Sequence, residues 1–305
     1  MTITRPPATR PAPRPAPEPP RRPGQAARTV RATLRRVPVW IAVTLLLVVV
    51  LYPQLWMVLG SFKTPTEFFE NPTWALPETF NLDNYVTAFT RGDVALNYRN
   101  SILVTLPSVA LIILLGVAAG YVLEVMIWRG RRQVLLFVLA GIMVPGQMIL
   151  VPLFSVYFQL GLTDTLWPLI LTYTAMGLPL TTFLMAAYFR SVPREIFEAA
   201  AVDGSSALRS FFVIGLPLMK NAMLTVGLVQ FFAVFNDLLV ALTFTTRPEL
   251  ATIQVGLLSL SDEYGSTQYG PLFAAISINL LVLLVVFAFL NKKIMAGLAA
   301  GSLKG

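Results

Sequence analysis

Residues 190–220 read Arg-Ser-Val-Pro-Arg-Glu-Ile-Phe-Glu-Ala-Ala-Ala-Val-Asp-Gly-Ser-Ser-Ala-Leu-Arg-Ser-Phe-Phe-Val-Ile-Gly-Leu-Pro-Leu-Met-Lys, and this stretch decides the fold. Pro193 suits the first position of a helix, where a missing N–H leaves nothing unsatisfied. Glu195, Glu198 and the run Ala199-Ala200-Ala201 carry that helix on, with Arg194 and Glu198 spaced i, i+4 for an ion pair. Ile196 falls over Ala200, and Phe197 over Ala201. Gly204 can take the left-handed conformation that ends a helix. Ser205 or Ser206 can then cap a second helix running toward Leu216-Pro217. The first helix holds about nine residues, roughly 13 Å, and is too short to cross a bilayer. A helix resting on headgroups would carry Lys/Arg-rich flanks and bulky apolar anchors. Glu-Ala-Ala-Ala instead offers a small face for close approach by another protein, and its acids favour a basic partner.

On either side of this hairpin the chain is strongly apolar. Its 305 residues are 56% hydrophobic and 12% charged, with a mean hydropathy of +0.70. A soluble domain carries about 25% charged residues, so this composition points to a bilayer. The chain has no Cys and no His. That excludes disulfides, zinc–thiolate and iron–sulfur sites and Cys nucleophiles. It equally excludes His acid–base chemistry, His metal sites and Ser-His-Asp arrangements. No metal site is expected, and no cofactor either. No phosphate loop of the form G-x-x-x-x-G-K-[ST] is present, so any ATP must be bound by another polypeptide.

The formal net charge of +8 belongs to one end of the chain. Residues 1–38 hold nine Arg and one acid, Glu18, whereas the remainder has 14 bases and 14 acids. Nine prolines fall within residues 6–23, and no aromatic residue accompanies them to stack a base. The reading for residues 1–37 is a disordered, Pro/Arg-rich tail, solvated near anionic headgroups rather than bound to nucleic acid. Residues 38–305 then form one membrane domain.

Apolar runs long enough to span a hydrocarbon core of about 30 Å lie at residues 39–59, 101–123, 134–158, 166–189, 222–244 and 272–290. The first is too long for a signal-peptide core and lacks a cleavage site after it, so it reads as a retained anchor. The tail, 129–132, 190–220 and the C-terminus together hold 19 Lys and Arg; the alternate loops hold only Lys63, Arg91, Arg99 and Arg247. Positive residues stay inside, which predicts an all-α integral membrane protein with six spans and both termini in the cytoplasm. The hairpin at 190–220 is then cytoplasmic, between spans four and five. Long external loops fall at 60–100 and near 245–270.

Some spans carry features that a purely lipid-facing helix lacks. Met143-Val-Pro-Gly-Gln-Met-Ile-Leu-Val-Pro152 puts two prolines and a glycine near mid-span, each proline freeing a carbonyl four residues earlier; Pro168 and Pro179 do the same in the fourth span. Such carbonyls need partners from other helices or a hydrated cavity. Gln147 within this segment and Asn236-Asp237 in the fifth span are therefore candidate residues of a substrate pathway. Asp237 lies roughly 10 Å below the outer end of its span, where a carboxylate faces protein or water; a helix–helix hydrogen bond is the other reading. Glu124, near Arg129 and Arg131, reads as an interfacial carboxylate that snorkels.

Glu198-Ala199-Ala200, then Gly204, Ile214 and Leu216-Pro217, resemble the EAA loop of bacterial ABC-importer permeases, with the family spacing met at every position. The ending Gly297-Leu-Ala-Ala-Gly-Ser-Leu-Lys-Gly305 is similar to that of the carbohydrate, maltose-type permeases, as are Val144-Pro-Gly-Gln147, Leu162-Thr-Asp164 and Phe235-Asn-Asp237. The likeness covers about residues 35–305 and fits the shorter, six-span subunit.

The resemblance implies the type I importer permease fold and a set of coupling residues, Glu198, Ala199, Ala200, Asp203, Gly204, Ile214, Leu216 and Pro217, whose short helix docks in a cleft of an ATP-hydrolysing subunit. It also implies the partners: a second permease in a heterodimer, two copies of a cytoplasmic ATPase subunit, and an extracytoplasmic solute-binding protein that delivers a sugar. The site would be the bacterial inner membrane and the mechanism alternating access, with this chain a transport subunit rather than an enzyme. Three alternatives stay open. A permease for glycerol phosphate, peptide or phosphate shares the loop motif. A secondary transporter would bring internal repeats and several buried charges, and a membrane-embedded enzyme would need a catalytic pair that Asp237 alone does not supply.

Overall fold

The computed structural model describes residues 25–262 and 269–302. All regular structure among them is helical. The α-helices are α1 (Gln25–Gly60), α2 (Pro65–Glu70), α3 (Asp83–Thr90), α4 (Val94–Glu124), α5 (Arg131–Met143), α6 (Leu150–Gln159), α7 (Trp167–Arg190), α8 (Glu195–Val202), α9 (Ala207–Ser210), α10 (Leu216–Phe235), α11 (Leu239–Phe244), α12 (Ile253–Asp262) and α13 (Tyr269–Ser302). Five continuous stretches are long and apolar enough to cross a membrane: Arg36–Gly60, Val94–Glu124, Trp167–Arg190, Ala207–Phe235 and Tyr269–Phe289. A bent pair, Arg131–Met143 with Gly146–Gln159, meets the same test of length and composition when its two arms are counted together.

Two of the expected spans differ in form. The run at 134–158 is not one helix: α5 ends at Met143, a 3₁₀ turn occupies Gly146–Ile149, and α6 leaves at 86°. Pro145 forces the cause, because proline disfavours a helical conformation in the residue before it, and Val144 is extended. Pro152, by contrast, falls in the first turn of α6, and Pro168 is the second residue of α7. N–H groups in a first helical turn have no intrahelical partner, so Pro168 starts a helix and frees no carbonyl, whereas Pro152 follows directly on the 3₁₀ turn Gly146–Ile149. Pro179 alone of the pair in the fourth span lies inside its helix.

The fifth span, expected at 222–244, begins instead at Ala207 and ends at Phe235. The chain breaks at Asn236-Asp237, and α11 restarts because the Asp237 Oδ1 accepts the N–H of Val240 at 2.8 Å. The first helix also begins earlier than the expected end of the tail, at Gln25; residues 1–24, with all nine prolines of that tail, lie outside the described residues. So do 263–268 of the second loop expected to be external and the last three residues, 303–305.

The chain divides into two units, Met1–Gln54 and Leu55–Gly305. The first consists, as described, of most of α1, whose apolar side chains such as Trp40 and Leu45 are two-thirds exposed. In the second, α4 and α7 make the most extensive helix pair. Glycines set their spacing: a Cβ on Gly116 would meet Thr181 Cγ2 at 2.5 Å, and one on Gly120 would meet Met185 Cβ at 2.7 Å and the Ala186 backbone nitrogen at 2.9 Å. Small residues at this separation let two backbones touch inside a bilayer. Two polar pairs link neighbouring helices. Gln230 on α10 donates to Thr181 Oγ1 at 2.9 Å, and Tyr157 shares a 3.1 Å hydrogen bond with Thr172 across α6 and α7.

Candidate coupling site

The hairpin between α7 and α10 folds as its residues dictate. α8 spans eight residues, Glu195–Val202, and Pro193 precedes it rather than opening it. Its end is closed by two reversed bonds: Ser205 N–H to the Ala200 carbonyl at 2.9 Å, and Gly204 N–H to the Ala201 carbonyl at 3.0 Å. This pair of bonds is the Schellman motif, which needs a left-handed residue after the helix, and Gly204 has φ +78°. Ser206 then caps α9, its hydroxyl accepting the Arg209 N–H at 3.3 Å. From Phe211 to Gly215 the helix widens into a π turn, with the Leu216 N–H reaching back to the Phe211 carbonyl. Pro217, lacking an N–H, follows immediately; π turns inside α-helices recur at functional sites.

Burial sorts the expected coupling residues into two groups. Ala200 and Phe197 face inward, Ala200 at 9% exposure. Glu198, Ala199, Asp203, Gly204 and Pro217 are exposed, and Ile214 and Leu216 are half-buried. Ile196, Ala199 and Val202 repeat every three residues on the outer face, with Val202 88% exposed. The stacking expected of Ile196 on Ala200 is therefore split: one turns out and the other in.

What holds the hairpin to the bundle is Tyr121 of α4, a residue that the sequence reading passed over. Its ring packs against Phe189 of α7 at 5.6 Å, Phe197 of α8 at 5.8 Å and Phe211 at 5.2 Å between centroids. Its hydroxyl donates to the Ala207 carbonyl at 3.2 Å. One side chain thus ties together four segments.

Glu124, at the end of α4, is also placed differently from the expectation. Its carboxylate is held by Arg190, through Nε at 3.2 Å and Nη2 at 2.9 Å, and by Arg194 at 3.9 Å. Arg131 meets only backbone there, donating to the Glu124 and Met126 carbonyls at 3.3 and 3.2 Å. Arg194 accordingly pairs with Glu124 and not with Glu198, as the i, i+4 spacing suggested. The spacing is satisfied equally well by a carboxylate from another helix, which no local pattern reveals. Between these groups and α8 lies a cleft of about 240 Å³, onto which Glu198 and Ser205 open.

The candidate pathway residues lie in two places, Asn236 and Asp237 at the break after α10 and Gln147 on the 3₁₀ turn before α6. Asp237 accepts hydrogen bonds from the Tyr173 hydroxyl at 3.1 Å and from the Val240 N–H, both through Oδ1. These bonds tie α7 to the helix break. Asn236 is exposed, and its Oδ1 accepts from Gln254 of α12 at 3.3 Å. Gln147 sits exposed on the 3₁₀ turn at the 86° bend, with no hydrogen bond to either residue among those described. Among the described residues no group of three or more acidic, His or Cys side chains is placed to hold a metal.

Comparison with known proteins agrees with this architecture. Residues 89–296 match the family of binding-protein-dependent transport system inner membrane components. The chain is 34% identical over 88% of its length to a probable ABC transporter permease, YurM, of Bacillus subtilis, covering 88% of that protein. It is 32% identical over 84% of its length to the diacetylchitobiose uptake permease NgcG of Streptomyces coelicolor, covering 85% of it. Among solved structures, a chain of a bacterial ABC transporter that imports alginate superposes with a TM-score of 0.73 at 20% identity, over 89% of this chain and 98% of that one. The α-helical bundle is that of the type I importer permeases, and the chain belongs to the inner-membrane permease components of binding-protein-dependent ABC transport systems.

Proposed function

We propose that this chain forms one half of the translocation pathway of an importer for a sugar or oligosaccharide. A solute-binding protein hands over the substrate at the outer face, a second permease supplies the other half, and two copies of an ATPase subunit supply the energy from the cytoplasm. Residues 38–305 are the type I permease domain, with both termini and the α8 hairpin inside. The observation that carries the reading is the hairpin itself. An eight-residue helix ends in a Schellman turn at Gly204 and turns the Ile196–Ala199–Val202 stripe outward. An apolar stripe on a cytoplasmic helix is suited to a protein cleft, and alternating access follows when the docked subunits move it. Relatives that take diacetylchitobiose or alginate favour a saccharide over glycerol phosphate, peptide or phosphate.

The test is ATP hydrolysis by the purified complete complex in the presence of its binding protein, stripped of ligand and then reloaded from a panel. The panel holds mono- and oligosaccharides, glycerol phosphate, phosphate and a tripeptide. Stimulation by a saccharide alone is the expected result; stimulation by one of the others alone would replace the saccharide with that solute.

A further inference from the structure

From the ion-pair geometry we infer that Glu124 is a positioning residue of the coupling hairpin, through which movement of α8 reaches α4. The inference rests on the hairpin's proposed role in ATPase docking. Glu124 is the last residue of α4, Arg190 the last of α7, and Arg194 immediately precedes α8. One carboxylate, 13% exposed, therefore joins the ends of three helices whose relative placement sets the angle of α8. The two contacts are unequal. Arg190 grips with two hydrogen bonds, a geometry that fixes orientation as well as distance. Arg194, at 3.9 Å, is an ion pair without a hydrogen bond. It also lies one helical turn from Glu198, a second carboxylate on its own helix. Arg190 is thus the fixed end of the arrangement and Arg194 the adjustable one. The turn at Ser191-Val192-Pro193 is pinned on both sides by the same group, and the adjacent cleft leaves room for α8 to tilt.

Both arginines are about two-thirds exposed, so the pairs are partly screened and their breakage should change coupling rather than folding. The experiment uses the complete complex purified in detergent, MgATP, and the binding protein carrying its endogenous ligand. For Glu124→Gln, Arg190→Gln and the double variant it measures ATPase-subunit copurification, thermal midpoint and the factor by which the binding protein stimulates hydrolysis. The expected result is normal copurification and midpoint, with stimulation reduced roughly two- to fivefold in each single variant, as for a partly screened ion pair. The double variant should be no worse than the weaker single one, because both lose the same link. Normal stimulation in Glu124→Gln, a lowered midpoint with normal stimulation, or multiplied losses in the double variant would each overturn the inference. Gly204→Val run alongside separates the two ideas. If it uncouples while Glu124→Gln does not, only the link fails; if neither does, the docking role of the hairpin fails too.

Discussion

The Tyr121 hydroxyl lies 3.2 Å from the Ala207 carbonyl, so a buried side chain of α4 is bonded to the backbone of the second helix of the hairpin. Around that bond three aromatic rings close on Tyr121 from Phe189, Phe197 and Phe211. Tyr121→Phe keeps the packing and loses one hydrogen bond, a change of about 1 kcal/mol. Tyr121→Ala leaves a cavity and costs about 3–5 kcal/mol. Thermal unfolding of the purified complex should rank wild type, Phe, then Ala, and only the Ala variant should release the ATPase subunit on copurification. Equal behaviour of the two variants would contradict the packing account.

Gly120 and Gly227 make a second contrast. A Cβ at Gly120 collides with Met185 and the Ala186 backbone, whereas one at Gly227 meets Ile113 only at 3.7 Å, an ordinary contact. Gly120→Ala should therefore force α4 and α7 apart and destabilise by about 1–3 kcal/mol. Gly227→Ala should be neutral or slightly stabilising, since alanine is the better helix former by about 1 kcal/mol. Thermal midpoints of the two variants check the order.

Asp237 uses a single oxygen, Oδ1, for both its bonds. Asparagine retains that acceptor, so Asp237→Asn should leave stability near wild type, while Asp237→Ala should lose about 1–3 kcal/mol from the orphaned Tyr173 hydroxyl and Val240 N–H. Uptake measured on the same samples separates structure from substrate. A stable Asp237→Asn protein with impaired uptake would give the negative charge a place in the pathway.

Much of this architecture is written in local pattern. Apolar runs of about 20 residues announce the spans, and Gly204 with Ser206 announces the hairpin, because caps and turns involve neighbours in sequence. Three kinds of feature are not local. The break at Asp237 reads as a mid-span carboxylate until its bond to the Val240 N–H is known. The partner of Glu124 is 66 residues away, and the nearer Arg129 and Arg131 offer the same charge. Tyr121 is one aromatic among many in an apolar chain, and its role depends on four segments meeting in space. Periodicity likewise cannot separate Pro145, which breaks an apolar run, from Pro168, which begins a helix.

Orientation has a direct test in the absence of native cysteine. Ser61 would be a natural labelling position in the first loop expected to be external, but it is fully buried; Thr79 and Asp203 are exposed. In intact spheroplasts an impermeant thiol reagent should modify Thr79→Cys and spare Asp203→Cys until the membrane is opened. The opposite pattern would invert the topology.

Docking of the energy-supplying subunit on the α8 turn depends on Gly204, whose substitution is the decisive experiment. At φ +78° a residue with a Cβ costs about 1–2 kcal/mol, yet a Cβ there meets nothing within 4 Å. Within this chain, an effect of substitution therefore comes from the backbone of the turn and not from an internal clash. Asparagine tolerates this conformation and valine does not. The measurement is ATPase-subunit copurification together with solute uptake for Gly204→Asn and Gly204→Val, both inserted in the membrane at wild-type level. Near-normal docking and uptake are expected for asparagine, and loss of docking or of uptake for valine. Normal docking and uptake in the valine variant would contradict that dependence.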